Sequence, residues 1–84
     1  MQTGHKIRAL SNATAGDFLR FELLVEGRWR EVRVSGTALA VLDKGGSSSR
    51  LAIFVQHMET IIRAAKVAAL ADLDAPFILL AQPL

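Results

Sequence analysis

The feature that most constrains this chain is a run of apolar residues at helical spacing in residues 50–71. Steps of three and four residues separate most of them, and neither Gly nor Pro interrupts the run. Serines at 47–49 offer an N-cap, and Pro76 prevents continuation. The pattern predicts one long helix from Arg50 to Ala71, whose buried stripe comprises Leu51, Phe54, Val55, Met58, Ile61, Ile62, Ala65 and Ala69.

A second seam runs along the same predicted helix, roughly opposite the stripe. Its spacing alternates between four and three residues, and its members are Ile53, His57, Thr60, Ala64, Val67 and Ala71. A surface helix ordinarily carries charges on that side. Two interpretations are open. In the first, the short helix or a loop of the same chain covers the seam; in the second, another subunit contacts it.

The residues before this helix predict a β-hairpin. Residues 18–26 alternate apolar and polar side chains, apart from Leu24, and Glu26-Gly27 is a tight-turn signal before a return strand over 28–34. Trp29 is out of phase with the valines of that return strand. A bulge would turn Trp29 inward; otherwise it lies on the outer face beside arginines.

Further elements complete the predicted order. Residues 5–10 predict a first strand, and residues 11–16 are rich in turn formers. Ser35 is a suitable N-cap for a short helix over 36–44. After Pro76, residues 77–81 form a short strand that is apolar on both faces.

Together these elements predict an α+β domain in two layers. A small antiparallel β-sheet of three or four strands, in the order β-β-β-α-α-β, carries a short and a long helix on one face. The 84 residues make a single domain, 1–84, and 51% of them are hydrophobic, which is more than such a small domain readily buries. Cysteine is absent, which excludes disulfide scaffolds and thiolate-bound zinc. With no signal peptide or membrane-length apolar run, we expect a cytoplasmic location and no membrane contact.

Three short patterns give the sequence a family resemblance. The chain reads Leu-x-Phe-x3-Val-x-Gly from Leu19, Val-x-Val-Ser-x2-Ala-Leu from Val32, and Phe-x2-His-x3-Ile from Phe54. These patterns resemble the small bacterial domain-of-unknown-function family 1488, whose members run hairpin, Ser-capped short helix, longer helix and final strand. Arg30 stands where the resemblance implies an apolar residue. The resemblance implies a fold and no catalytic residue.

The sequence predicts neither an enzyme nor a cofactor site. The two histidines have no carboxylates at metal-ligand spacing, so no catalytic residue, cofactor-binding residue or metal site is expected. The loop Gly45-Gly46-Ser47-Ser48-Ser49 lacks the spacing of a phosphate-binding loop and is interpreted as a plain connection.

The hairpin carries the one candidate surface for nucleic acid, made of Arg28, Trp29, Arg30 and Arg33. Arginines pair with phosphates and an exposed Trp stacks on bases. Glutamates in the same hairpin counteract this charge, so nucleic acid is not the expected partner. A weak nucleic-acid-associated regulator is the alternative function.

The expected function is a protein-interaction or structural module that acts as a homodimer, with an unidentified protein as a further possible partner. Apolar residues remain after one sheet face and one helix stripe are buried. A two-fold axis would let such a patch cover its own copy. The candidate interface residues are Leu24, Ile53, Val67, Ile78 and Leu80, and the strand face is favoured over the helix seam because its side chains are larger.

Overall fold

The computed structural model describes residues 7–12, 18–44, 46 and 48–81. Four strands and three helices occur in these ranges: β1 (Ile7–Asn12), β2 (Phe18–Val25), β3 (Arg28–Ser35), α1 (Gly36–Leu42), α2 (Arg50–Gln56), α3 (Met58–Ala71) and β4 (Ile78–Leu80). The first strand therefore extends two residues past its predicted end at residue 10, and it includes Ser11 and Asn12 of the predicted turn over 11–16. Residues 5 and 6, the rest of that turn, and Gly45 and Ser47 of the plain loop lie outside the described residues.

The four strands form one sheet in the order β1-β2-β3-β4. The first three are antiparallel neighbours, whereas β4 runs parallel to β3 because the chain crosses through three helices before it returns. The predicted α+β class and the order of strands and helices are confirmed, but the sheet, predicted to be antiparallel, is mixed because β4 runs parallel to β3. The helices cover one face of the sheet, which we call the inner face; we call the opposite face the outer face.

Local sequence signals position the turns and helix starts. Glu26 and Gly27 have φ of 51° and 78°, which allows a two-residue turn between the paired residues Val25 and Arg28. The Ser35 hydroxyl accepts a hydrogen bond from the Ala38 N–H at 3.0 Å and caps α1. The Ser49 hydroxyl caps α2 in the same way.

The predicted single helix over residues 50–71 is wrong in one respect, because it breaks at His57. This residue has φ of −117° and ψ of 25°, outside helical geometry, and it separates α2 from α3. The break changes which side of α2 faces the sheet. Ile53 joins Phe54 in the core, whereas Leu51 and Val55 of the predicted stripe are exposed.

The core lies between the inner face and the helices. Phe21 of β2 and Phe54 of α2 meet there with ring centroids 5.0 Å apart. Alternate residues of β2 and β3 contribute their apolar side chains, and α3 adds its predicted stripe from Ile61 onward. The fully buried large side chains are Phe21, Phe54, Leu19, Leu23, Leu39, Ile61, Ile62, Val32 and Val34.

Candidate interaction surfaces

A shallow apolar depression of about 390 Å³ lies on the exposed side of α3. We call it the α3 groove; it is lined by Thr60, Arg63, Ala64, Val67, Ala68 and Ala71. Val67 has 67% of its surface exposed. Four residues of the predicted seam therefore line one surface that no other described part of the chain covers. The interpretation in which the short helix or a loop covers the seam is wrong for α3.

A second depression, with a mixed polar and apolar lining, adjoins β4, the last strand of the sheet. It is lined by Ala68, Asp72, Ala75, Phe77, Ile78 and Leu79, and we call it the β4 cleft. Leu79 is 56% exposed. Ala68 lines both the α3 groove and the β4 cleft, so the two surfaces are continuous.

The structure divides the five predicted interface residues between surface and core. Val67 is exposed and Leu24 is half-buried on the outer face. Ile53, Ile78 and Leu80 are buried in the core of the chain itself. The prediction that Ile78 and Leu80 form an exposed strand face is therefore wrong.

Strand pairing explains this correction. Ile78 pairs with Val32 and Leu80 with Val34, and both valines point into the core from β3. Because side chains alternate along a strand, Leu79 is left on the outer face. The exposed apolar residue of β4 is thus Leu79, which sequence reasoning missed.

Arg30 of the predicted nucleic-acid surface lies on the inner face and is only 6% exposed. Its guanidinium donates hydrogen bonds to the carbonyl oxygens of Ala69, Asp72 and Ala75 at 3.4, 3.0 and 3.3 Å. These carbonyls lie in and just after the last turn of α3, where the helix dipole is negative. Arg30 is therefore a helix cap, and its assignment to a nucleic-acid surface is wrong.

Trp29 and Arg33 of the same surface lie on the outer face, so the inward rotation of Trp29 does not occur. The Arg8 guanidinium stacks 4.0 Å from the Trp29 ring centroid. Arg33 stacks on Phe77 at 3.8 Å and lies 5.2 Å from the ring of Phe18. Such cation–π contacts hold the arginines flat against the sheet.

Carboxylates accompany these arginines on the outer face. Arg8 Nε donates to Glu22 at 2.6 Å, and Arg33 Nε donates to Glu31 at 2.6 Å. Arg20 Nε lies 3.2 Å from the same Glu31 carboxylate. The hydrogen bond from Arg33 and the positive charges of Arg20 and Arg33 lower the pKa of Glu31 below its usual 4.5, against a smaller opposing effect of burial. Arg28 is exposed at the hairpin end.

The loop before α2 also makes contacts that favour its interpretation as a plain connection. The Ser48 N–H donates to Asp43 Oδ2 at 3.2 Å, while the Ser49 hydroxyl is engaged in capping. Arg50 donates to the Phe18 carbonyl oxygen at 3.3 Å. These groups hold the loop against α1 and β2.

Neither a cluster of metal ligands nor a membrane-spanning helix occurs in the part of the chain that the structure describes. Within residues 7–12, 18–44, 46 and 48–81, no three side chains of His, Cys, Asp or Glu come together as metal ligands. His5 lies outside that part of the chain, and His57 is half-buried at the break before α3. Among the helices described, none is long and apolar enough to cross a lipid bilayer.

Comparison with known proteins adds no identification. No protein-family model matches the chain, and no solved structure matches it with significance.

Proposed function

We propose that this protein is a protein-interaction module that acts as a homodimer, and that the α3 groove is its main contact surface. The observation that carries the proposal is the apolar α3 groove, which is continuous with the β4 cleft through Ala68. Val67 stands exposed in the groove and Leu79 in the cleft. Burying one such side chain fully contributes about 1.5–3 kcal/mol, and a two-fold axis would bury each one twice.

The small side chains of the α3 groove favour another helix as the contacting element. Ala64, Ala68 and Ala71 present little more than methyl groups, so a second helix backbone approaches closely. A copy of α3 supplies the same small side chains in return. If the contact covers about 600 Å² per subunit, it lies at the lower limit for specific association, so we expect a dimer that dissociates on dilution.

The charges of the outer face support a protein partner over nucleic acid. Arg8, Arg20 and Arg33 each have a glutamate partner, and Arg30 is buried as a helix cap. A nucleic-acid surface needs positive charge that phosphates can neutralise. We therefore keep the nucleic-acid-associated regulator as the less favoured alternative.

We further propose, from the sequence alone, that the protein is cytoplasmic and that it is not an enzyme. The relation to family 1488 rests on the sequence patterns given above and remains a prediction.

Light scattering after size-exclusion chromatography tests the proposed interface. The wild-type chain at tens of micromolar should elute with a mass above 9.1 kDa, and Val67→Lys should return it to the monomer mass. Val55→Lys is the matched control, since Val55 is 62% exposed on α2 and does not line the groove. Equal masses for wild type and Val67→Lys would refute the α3 groove as the interface.

A further inference from the structure

The segment between α3 and β4 is fixed mainly by one side chain from the middle of the sheet. Arg30 of β3 donates to the carbonyl oxygens of Asp72 and Ala75, which follow α3. The same guanidinium donates to the carbonyl oxygen of Ala69 in the last turn of the helix. In the described part of the chain, backbone hydrogen bonds outside the helices and strands reach residues 72–77 only through the Asp72 N–H, which donates back into α3. The path of this segment therefore depends on Arg30.

A second arginine of β3 holds the end of the same segment from the outer face. The Arg33 guanidinium stacks 3.8 Å from the ring centroid of Phe77, which is half-buried and directly precedes β4. Arg33 also donates to Glu31 at 2.6 Å, and this bond keeps the guanidinium against the sheet. Two side chains on opposite faces of β3 thus attach successive parts of one segment.

The strand that follows is the shortest of the four described strands. β4 pairs with β3 at three positions, whereas β2 and β3 pair at eight. Parallel pairing is also slightly less stable per residue than antiparallel pairing. Ile78 and Leu80 are the side chains that seat β4 in the core. A segment with so few paired residues opens at a lower free-energy cost than the rest of a fold.

We infer that residues 72–80, which we call the β4 strap, open as one unit while the rest of the fold stays intact, and that Arg30 is the latch. Opening breaks the two hydrogen bonds from Arg30 to the strap, the cation–π contact of Phe77 and the pairing of β4. Water then reaches the guanidinium and returns part of its desolvation cost, which makes the open state accessible. The open state leaves one edge of β3 without a partner strand, so the latch controls access to that edge.

Hydrogen exchange followed by mass spectrometry tests the strap in the wild-type chain, at low micromolar concentration so that self-association contributes little. Amides of the β4 strap should exchange about a hundredfold faster than the slowest amides of β2 and β3. Low concentrations of urea should change the strap rate little, because a local opening exposes little surface. A strap that exchanges as slowly as β2 and β3, with the same urea dependence, opens only with the whole fold, and this result would overturn the inference.

Arg30→Met tests the latch. Exchange in the strap should rise about tenfold or more, because the native state loses contacts that the open state already lacks. The slowest amides of β2 and β3 should also accelerate, since global unfolding breaks the same contacts. Amides of β1, at the opposite edge of the sheet, should keep their wild-type rates, because opening of β1 leaves the Arg30 contacts in place. Arg28→Met, at an exposed position of β3, is the matched control and should leave strap exchange unchanged.

Arg30→Lys tests the latch even if Arg30→Met does not fold. One ammonium group does not reach three separated carbonyl oxygens, so strap exchange should rise by a smaller factor. A strap rate equal to that of wild type in every folded Arg30 variant would show that Arg30 is not the latch.

Phe77→Ala tests whether the strap opens as one unit. The substitution removes the contact with Arg33 on the outer face and leaves the Arg30 hydrogen bonds in place. Exchange should rise across the whole strap, including the amides near Asp72 at its other end. Acceleration confined to the amides beside position 77 would contradict a single opening unit.

Discussion

Replacing the buried arginine tests the clearest structural assignment in the molecule. Arg30→Met keeps the length of the apolar stem but removes all donors to the carbonyl oxygens of Ala69, Asp72 and Ala75. Hydrogen bonds from a charged group contribute about 1.5–3 kcal/mol each, and removing the guanidinium also removes its own desolvation cost. We therefore expect a net loss of about 2–4 kcal/mol in the free energy of unfolding, well below the sum of three bonds.

Urea unfolding followed by circular dichroism measures this loss, at one protein concentration for all variants. For a domain of this size, the thermal midpoint should fall by about 10–25 °C. Arg30→Lys should lose roughly half as much, because one ammonium group does not reach three separated carbonyls. Arg28→Met, at an exposed position of the same strand, should change stability by no more than about 0.5 kcal/mol. An Arg30→Met chain as stable as wild type would refute the capping role.

Three further predictions follow from the core and the outer face. Phe54→Ala should cost about 3–5 kcal/mol of stability, because it removes the ring that contacts Phe21, whereas Val55→Ala should be nearly neutral; thermal unfolding distinguishes them. The Glu31 carboxylate should stabilise the fold fully above pH 4.5, and this stabilisation should be lost as the pH falls through the lowered pKa of Glu31 in the folded chain. Glu31→Gln should therefore be less stable than wild type at neutral pH and as stable as wild type in strong acid, as measured by urea unfolding at each pH. Binding to single-stranded DNA should be weak and fall steeply with salt; submicromolar, sequence-selective binding at physiological salt that Trp29→Ala abolishes would contradict the account.

Elements specified by local chemistry were predictable from the sequence. The Glu26-Gly27 turn needs positive φ at neighbouring residues, and Ser35 supplies a hydroxyl next to the first turn of a helix. Both signals act within a few residues. The alternation of β2 likewise predicted its buried face, because only one of its faces is apolar.

Features that depend on distant pairing were not predictable. A short strand that is apolar on both sides carries no information about which side faces inward, so Ile78 and Leu80 were assigned to the wrong environment. Only the register against β3 decides their side. Arg30 was missed for a similar reason, since its acceptors are backbone carbonyls 39 to 45 residues away. The one available signal was that Arg30 shares a face with Val32 and Val34.

The break at His57 had a weak signal of its own. Ile53 belongs to the second seam in an unbroken helix, yet it is a large aliphatic residue next to Phe54, and both are buried. The break shifts the helical phase, so that residues 53–54 of α2 and residues 61–62 of α3 all face the core. Composition alone gave no indication of it, because neither Gly nor Pro is present there.

Sedimentation equilibrium of the wild-type chain over a wide concentration range tests whether the chain forms a homodimer. The mass should approach twice the chain mass of 9.1 kDa at tens of micromolar and return to 9.1 kDa on dilution. A mass of 9.1 kDa at every concentration would contradict it.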